Sequence, residues 1–272
     1  MLISYNTRSS SWRRAIKDIS EGTFGTFFWF HLAWQDINLR YSRSMIGPFW
    51  ITISMGIMVG AMGPLYGRLF HQPTGQYLQY LAVSFATWMF ISNQIIESCK
   101  AFISASEFIH QVKLPLTVHL HRVLTRNIII FGHNLLVVIV VLFFFPPTQF
   151  IPVLLAPVGL FMVLLNLTWI GIVLSTLSAR FRDIPLMVAS VIQLAFFLTP
   201  IVWKRDLLAD SGYRLVADGN MLYHFMEVIR APLIGQYPAA FSWAFVGISS
   251  LLGWTLALSL FRRFRSRVAY WV

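Results

Sequence analysis

Catalysis or ion-driven transport inside a membrane needs ionisable side chains at membrane depth, where they are costly and therefore kept for function. The apolar runs of this chain contain almost none. Glu97 falls at the end of one run, where a solvated carboxylate is the ordinary expectation. His133 lies a turn or two inside another, and a lone histidine there reads as a hydrogen-bonded residue between helices rather than a proton relay. The single Cys99 excludes an internal disulfide and a Cys-x-x-Cys metal site. There is no HExxH, no GxSxG and no pair of carboxylates on one face. A GxxxxGKS/T phosphate loop is absent as well, so any ATPase that powers the chain must be another polypeptide.

Glycine and aromatic residues are plentiful instead. A basic segment ending at Arg43 leads through Gly47-Pro48 into an uncharged run with glycines at 56, 60, 63 and 67. At helical spacing Gly56, Gly60, Gly63 and Gly67 fall within about 60° of one another. Such a face serves close helix packing, or forms a smooth wall along which a cargo slides. Aromatic residues make up 16% of the chain. Interfacial belts account for Trp12, Trp29, Trp34, Tyr77, Tyr80, Trp203, Tyr270 and Trp271. Phe49, Trp50, Tyr66, Trp88, Phe90, Phe196 and Phe197 lie on spans or at their outer ends, where a ring meets lipid, a helix neighbour or the C–H face of a sugar.

The elements that position these residues follow from composition and punctuation. Of 272 residues, 57% are hydrophobic and 11% charged. A soluble domain carries about 25% charged residues, so the chain is an integral membrane protein. Its net charge of +11 sits in short segments between apolar runs, which points to lipid headgroups and topology rather than nucleic acid. The first twenty residues are polar and basic, with no apolar signal core. Residues 26–42 read as an interfacial helix, with Phe30, Ala33, Trp34, Ile37 and Tyr41 on one side. Spans are expected at 49–65 and 77–96. A charged loop at 97–126 follows, enclosing a short amphipathic piece at 106–115. The uncharged stretch 127–179 is too long for one span and breaks at Pro146, Pro147 and Pro152 into two antiparallel helices. A basic turn at 180–183 opens a fifth span, 184–203. Residues 204–238 are polar, with a small helix whose Leu222, Phe225, Met226 and Ile229 share a face, and a sixth span at 239–261 ends in a basic tail. With the N-terminus inside, only Arg68, Lys204, Arg205, Arg214 and Arg230 of the basic residues fall outside, so both termini are cytoplasmic. The expected fold is all-α: one polytopic membrane domain over 1–272. It comprises a tail at 1–24, an interfacial helix at 25–43, six spans within 49–261 and a basic tail at 262–272.

The order of short motifs resembles a known family. Arg40-Tyr41-Ser42-Arg43-Ser44-Met45-Ile46-Gly47-Pro48-Phe49-Trp50 ends the interfacial helix. Phe181-Arg182-Asp183-Ile184 opens span five, and Thr199-Pro200-Ile201-Val202-Trp203 closes it. Leu222-Tyr223-His224-Phe225 then runs on to Arg230-Ala231-Pro232-Leu233. From about residue 25 onward the series resembles the membrane subunit of type-2 ABC exporters of surface polysaccharide, the O-antigen, capsule and teichoic acid permeases. Met221 departs from the family, which often places proline there.

The resemblance implies a subunit of the bacterial inner membrane that is not itself an enzyme. Two copies would work with two ATPase subunits, which bind the ATP and Mg, and would move a lipid-linked polysaccharide along their shared interface. Phe49, Trp50, Gly56, Gly60, Gly63, Tyr66, Gly67, Phe196, Phe197 and Trp203 would line or gate that path. Glu107, Phe108, Ile109, His110 and Lys113 would belong to a coupling helix docked on the ATPase. Arg40 and Arg43 would stand at the substrate entrance, and 220–232 would dip back into the membrane near the exit. Three other readings compete: a type-2 exporter of a smaller apolar cargo, an ion-gradient carrier, and a membrane enzyme acting on lipid-linked sugars. The shortage of buried carboxylates disfavours the second, and the lack of a catalytic cluster the third.

Overall fold

A backbone in lipid must satisfy its own hydrogen bonds, and a chain this apolar does so by coiling into helices. The computed structural model describes residues 12–42, 46–47, 49–205 and 214–272, and no strand occurs among them. The helices in order are α1 (Trp12–Phe24), α2 (Thr26–Tyr41), α3 (Phe49–Leu69), α4 (Thr74–Cys99), α5 (Ser106–Gln111) and α6 (Thr117–Phe144). They continue as α7 (Ala156–Arg180), α8 (Ile184–Leu198), α9 (Arg214–Asp218), α10 (Met221–Leu233) and α11 (Ala240–Trp271). Arg43, Ser44, Met45 and Pro48, and with Arg43 the entrance role expected of it, lie outside the described residues.

Among the described residues four stretches are long and apolar enough to cross a membrane: Phe49–Leu69, Thr117–Phe144, Ile151–Arg180 and Ala240–Trp271. α8 is apolar but shorter, with 15 residues. α4 has 26 residues but carries Gln79, Ser84, Thr87, Ser92, Gln94 and Ser98, all buried. It can hold these groups because it is the hub of the bundle, packed against α3, α6, α7, α8 and α10. Gln94 takes a hydrogen bond from Asn127 of α6 at 2.8 Å and donates to Ser98 at 3.0 Å.

Breaks fall where proline and loop chemistry put them. The 127–179 run divides at Phe144, and Gln79 reaches across to the Phe145 and Pro146 carbonyls. α8 ends at Leu198, short of the 203 expected from hydropathy. Thr199 is extended (ψ 134°) ahead of Pro200, as the proline ring requires. α11 runs the other way, ten residues beyond 261 to Trp271. Its basic extension is held by tertiary partners: Arg265 to Asp18 at 2.7 Å, Arg262 over the Trp12 ring at 4.6 Å, and the Trp271 carbonyl to Arg182 at 2.8 Å.

The basic end of the bundle is thus a collar of α1, α2, α5, the start of α6 and the end of α11. Its keystone is Asp18, fully buried on α1. The carboxylate accepts from the Leu116 and Thr117 amides at 3.2 Å each, capping α6, and Arg265 pairs with it. Gly22 lets α1 lie so close to Thr117 that a methyl group there would overlap it.

Candidate transport site

The glycine face of α3 turns mostly inward. Thr52, Met55, Val59, Gly63 and Gly67 form the buried stripe, while Trp50, Ile53, Ile57, Leu65 and Leu69 stay exposed. A methyl at Gly63 would strike Leu78 of α4. One at Gly67 would meet Tyr77 at 3.6 Å, and one at Gly56 would meet Val137 of α6 at 3.7 Å. Gly60 faces open space. Within a single chain, then, most of this face is helix contact.

The aromatic residues separate into three places. Phe49 and Trp50 begin α3 at the basic end, exposed, with Phe49 edge-on to His133 at 5.5 Å. Tyr66 belongs to a row at the other end of α3, leading through Phe70 to Tyr77 and Tyr80. Phe196 packs on Trp88 at 5.8 Å and on Phe197 at 5.4 Å. These last residues, with Ser92, Ile96 and Gln193, line an open cleft of about 320 Å³ between α4 and α8. Trp203 closes over the same helix end, its indole N–H donating to the Phe197 carbonyl at 3.3 Å. Phe196, Phe197 and Trp203 are therefore brought together; Phe49, Trp50 and Tyr66 are not.

His133 Nδ1 lies 2.8 Å from the Ile129 carbonyl of its own helix, so its hydrogen bond is not the interhelical one expected. Glu97 departs further from expectation. Its carboxylate is not simply solvated but accepts from Arg126 at 2.7 Å and Arg40 at 3.1 Å. Asp36 of α2 accepts from Arg126 at 2.8 Å and from Arg122 Nε at 2.7 Å. Burial pushes the Asp36 carboxyl up, and the guanidinium groups of Arg122 and Arg126 more than offset it, holding it below its ordinary value. Arg40 is thus already paired, with 42% of its side chain exposed.

α5 projects from this end with no buried residue. Glu107, Phe108, His110 and Lys113 are exposed and Ile109 half-buried. The helix touches the bundle through Phe108, whose ring lies 5.8 Å beneath the Arg122 guanidinium, and through Ile109, which packs on the apolar cluster of this end.

At the opposite end the structure holds a buried cation in the outer segment that the sequence reads as polar. Arg230 of α10 is 3% exposed. It donates to the Tyr80 hydroxyl at 2.9 Å, to Ser84 at 3.3 Å and to the Pro200 carbonyl, and pairs with Glu227. Tyr77 donates to the Val202 carbonyl at 2.6 Å, so the turn after α8 is tied to α4 at several points. α10 is buried almost all round, not on the one face its periodicity marks, and Gly159 of α7 sits directly against the Val228 carbonyl. The Asn220 side chain caps α10 by accepting from the Leu222 and Tyr223 amides, so the helix starts at Met221 without the family's proline. The i,i+3 spacing of Glu227 and Arg230 on an otherwise apolar helix was the available signal for this cluster.

The structure is a bundle of apolar helices with a projecting helix at its charged end, and comparison with known proteins places it. The chain belongs to the ABC-2 type transporter family, whose model matches residues 28–234. It is 22% identical over 194 residues to the O-antigen export system permease protein RfbA of Klebsiella pneumoniae, covering 65% of this chain and 69% of that one. It is 22% identical over 186 residues to the protein of the same name from Myxococcus xanthus, covering 67% and 70%. The chain is a permease-type ABC transporter subunit with a multi-pass membrane domain.

Proposed function

We propose that this chain is the permease of an ATP-driven exporter that carries a lipid-linked polysaccharide, of O-antigen or capsule type, across the inner membrane. The observation that carries the reading is the α4–α8 cleft. Its Trp88, Phe196 and Phe197 rings offer stacking faces, and Ser92 and Gln193 offer hydrogen bonds. An amide on an apolar membrane helix is costly against lipid and is reasonable beside a hydrated path. No fixed charge lines the cleft, so a long glycan would bind weakly there and keep moving. In this reading six spans cross the membrane with both termini cytoplasmic, α4 and α8 being the two beyond the four long apolar stretches. α10 is re-entrant near the exit. Two copies meet along α3 and α8, whose outward faces are apolar and unfilled in the single chain. Two ATPase subunits, holding ATP and Mg, dock on α5.

The test is affinity purification from native membranes, followed by a surface-glycan assay in a strain lacking this chain. A near-stoichiometric partner bearing a phosphate-binding loop, with loss of surface glycan, is expected. A chain that stays alone after cross-linking overturns the ABC reading. An ATPase-bound chain whose loss leaves the glycan intact transfers the cargo to a smaller apolar molecule.

A further inference from the structure

The charged end contains one unbroken series of contacts. The Phe108 ring on α5 lies under Arg122 at 5.8 Å, and Arg122 Nε donates to Asp36 of α2 at 2.7 Å. Asp36 accepts in turn from Arg126 at 2.8 Å, Arg126 donates to Glu97 of α4 at 2.7 Å, and Glu97 accepts from Arg40 at 3.1 Å. Each carboxylate is shared between two guanidinium groups, so no link shifts without disturbing the next. Asp36 and Arg126 expose only 12% and 13% of their side chains, where charge pairs are least screened and unpaired charges most costly. The series carries three cations and two anions. Its surplus positive charge emerges at Arg40, the most exposed member.

Resting on the permease reading, we propose that this series transmits displacement of α5 to Arg40. It sets whether the guanidinium stays on Glu97 or is released to the phosphate oxygens of an anionic cargo headgroup. Guanidinium binds carboxylate and phosphate through the same planar fork, so the two acceptors compete for one donor. α2 is otherwise held to the bundle by the buried Ala33 and Ile37, on its face toward α6. Exchange at Arg40 therefore loosens one end of α2 without unseating it. Coupling of this kind is reciprocal: a headgroup on Arg40 must change how α5 is held.

The test uses the complete permease–ATPase complex in nanodiscs of fixed phosphatidylglycerol content, with or without polyprenyl pyrophosphate. In the wild type the pyrophosphate lipid changes ATP turnover severalfold at constant anionic phospholipid, which separates the cargo headgroup from bulk lipid. Phe108→Ala and Arg40→Met each reduce that response, and the double variant is no worse than the more severe single one. Residues without shared partners give independent effects. Multiplying effects, a full response in Phe108→Ala, or no wild-type response to the pyrophosphate lipid would overturn the proposal. Should either variant lose its ATPase, a spin label at the exposed Gln111→Cys of α5 in an otherwise intact series gives the answer. Its mobility should change when polyprenyl pyrophosphate is added without nucleotide, and an unchanged spectrum refutes the link. A complex that hydrolyses ATP and exports glycan while Phe108 and Arg40 act independently defeats this inference alone. A chain without an ATPase defeats the permease reading beneath it.

Discussion

Replacing Arg230 with methionine should be among the most damaging single changes available in the membrane domain. The substitution keeps an unbranched apolar stem, so the packing of the aliphatic part is retained. What goes is the donor set that satisfies Pro200, Ser84 and Tyr80, together with the countercharge of Glu227. Removing one partner of a buried ion pair costs about 3–5 kcal/mol, mostly through the charge left behind. The Glu227 side chain keeps 18% of its surface exposed, which allows partial hydration and places the expected loss near the bottom of that range, about 3 kcal/mol. For a domain of this size that is roughly 6–12 °C in melting temperature. The assay is thermal unfolding of the purified protein in detergent, followed by circular dichroism and by retention of the monodisperse peak. Glu227→Gln in the same chain removes the stranded charge, so the double variant should melt well above Arg230→Met alone. A single variant within about 2 °C of wild type would refute the reasoning. So would a double variant that is no better than the single one, because the cost would then not be the orphaned carboxylate.

Further outcomes follow from other contacts. Gly159→Ala drives a methyl into the Val228 carbonyl, a backbone atom that cannot rotate aside, and should cost about 1–3 kcal/mol in the same melting assay. Gly60→Ala, facing open space, should stay within about 0.5 kcal/mol. Asp18→Ala strips the cap from α6 and the partner from Arg265, for an expected loss of about 2–4 kcal/mol and earlier proteolysis of the α11 extension. The Asp36 carboxyl is held below its ordinary value of 3.8, so its pairing stabilises the fold above that pH and is lost as the pH falls through the lower folded value. The melting-temperature gap between wild type and Asp36→Asn should be constant above about pH 5 and close under stronger acid. A gap that instead closed toward alkaline pH would contradict the assignment.

Much of the helix layout was legible because its causes are local. Pro146 and Pro147 divide the long apolar run, and Pro200 ends α8 after an extended Thr199. Hydropathy overran that end by counting Ile201, Val202 and Trp203 as helix. It underran α11 because Arg262 to Arg267 read as a tail, and what keeps them helical is contact with α1 and the α7–α8 turn. The aromatics of the candidate site could be named from the sequence, but their grouping could not. Phe196 and Trp88 meet across two helices more than a hundred residues apart in the chain, whereas Phe49 and Tyr66 share a helix and lie at opposite ends of it.

By itself, the sequence determined that this is a helical membrane protein without a phosphate loop, with a basic end and with a break at Pro146 and Pro147. Those properties depend on composition and on the backbone rules of single residues. Tertiary structure alone decided what each costly polar group does. Arg230 became a buried clasp, and Glu97 a shared link, not a solvated end; Asp18 became the cap of a helix 98 residues away and the partner of an arginine 247 residues away. A buried charge is stable only where packing delivers its partner. Which residues packing brings together is a property of the whole bundle, not of any stretch of the chain.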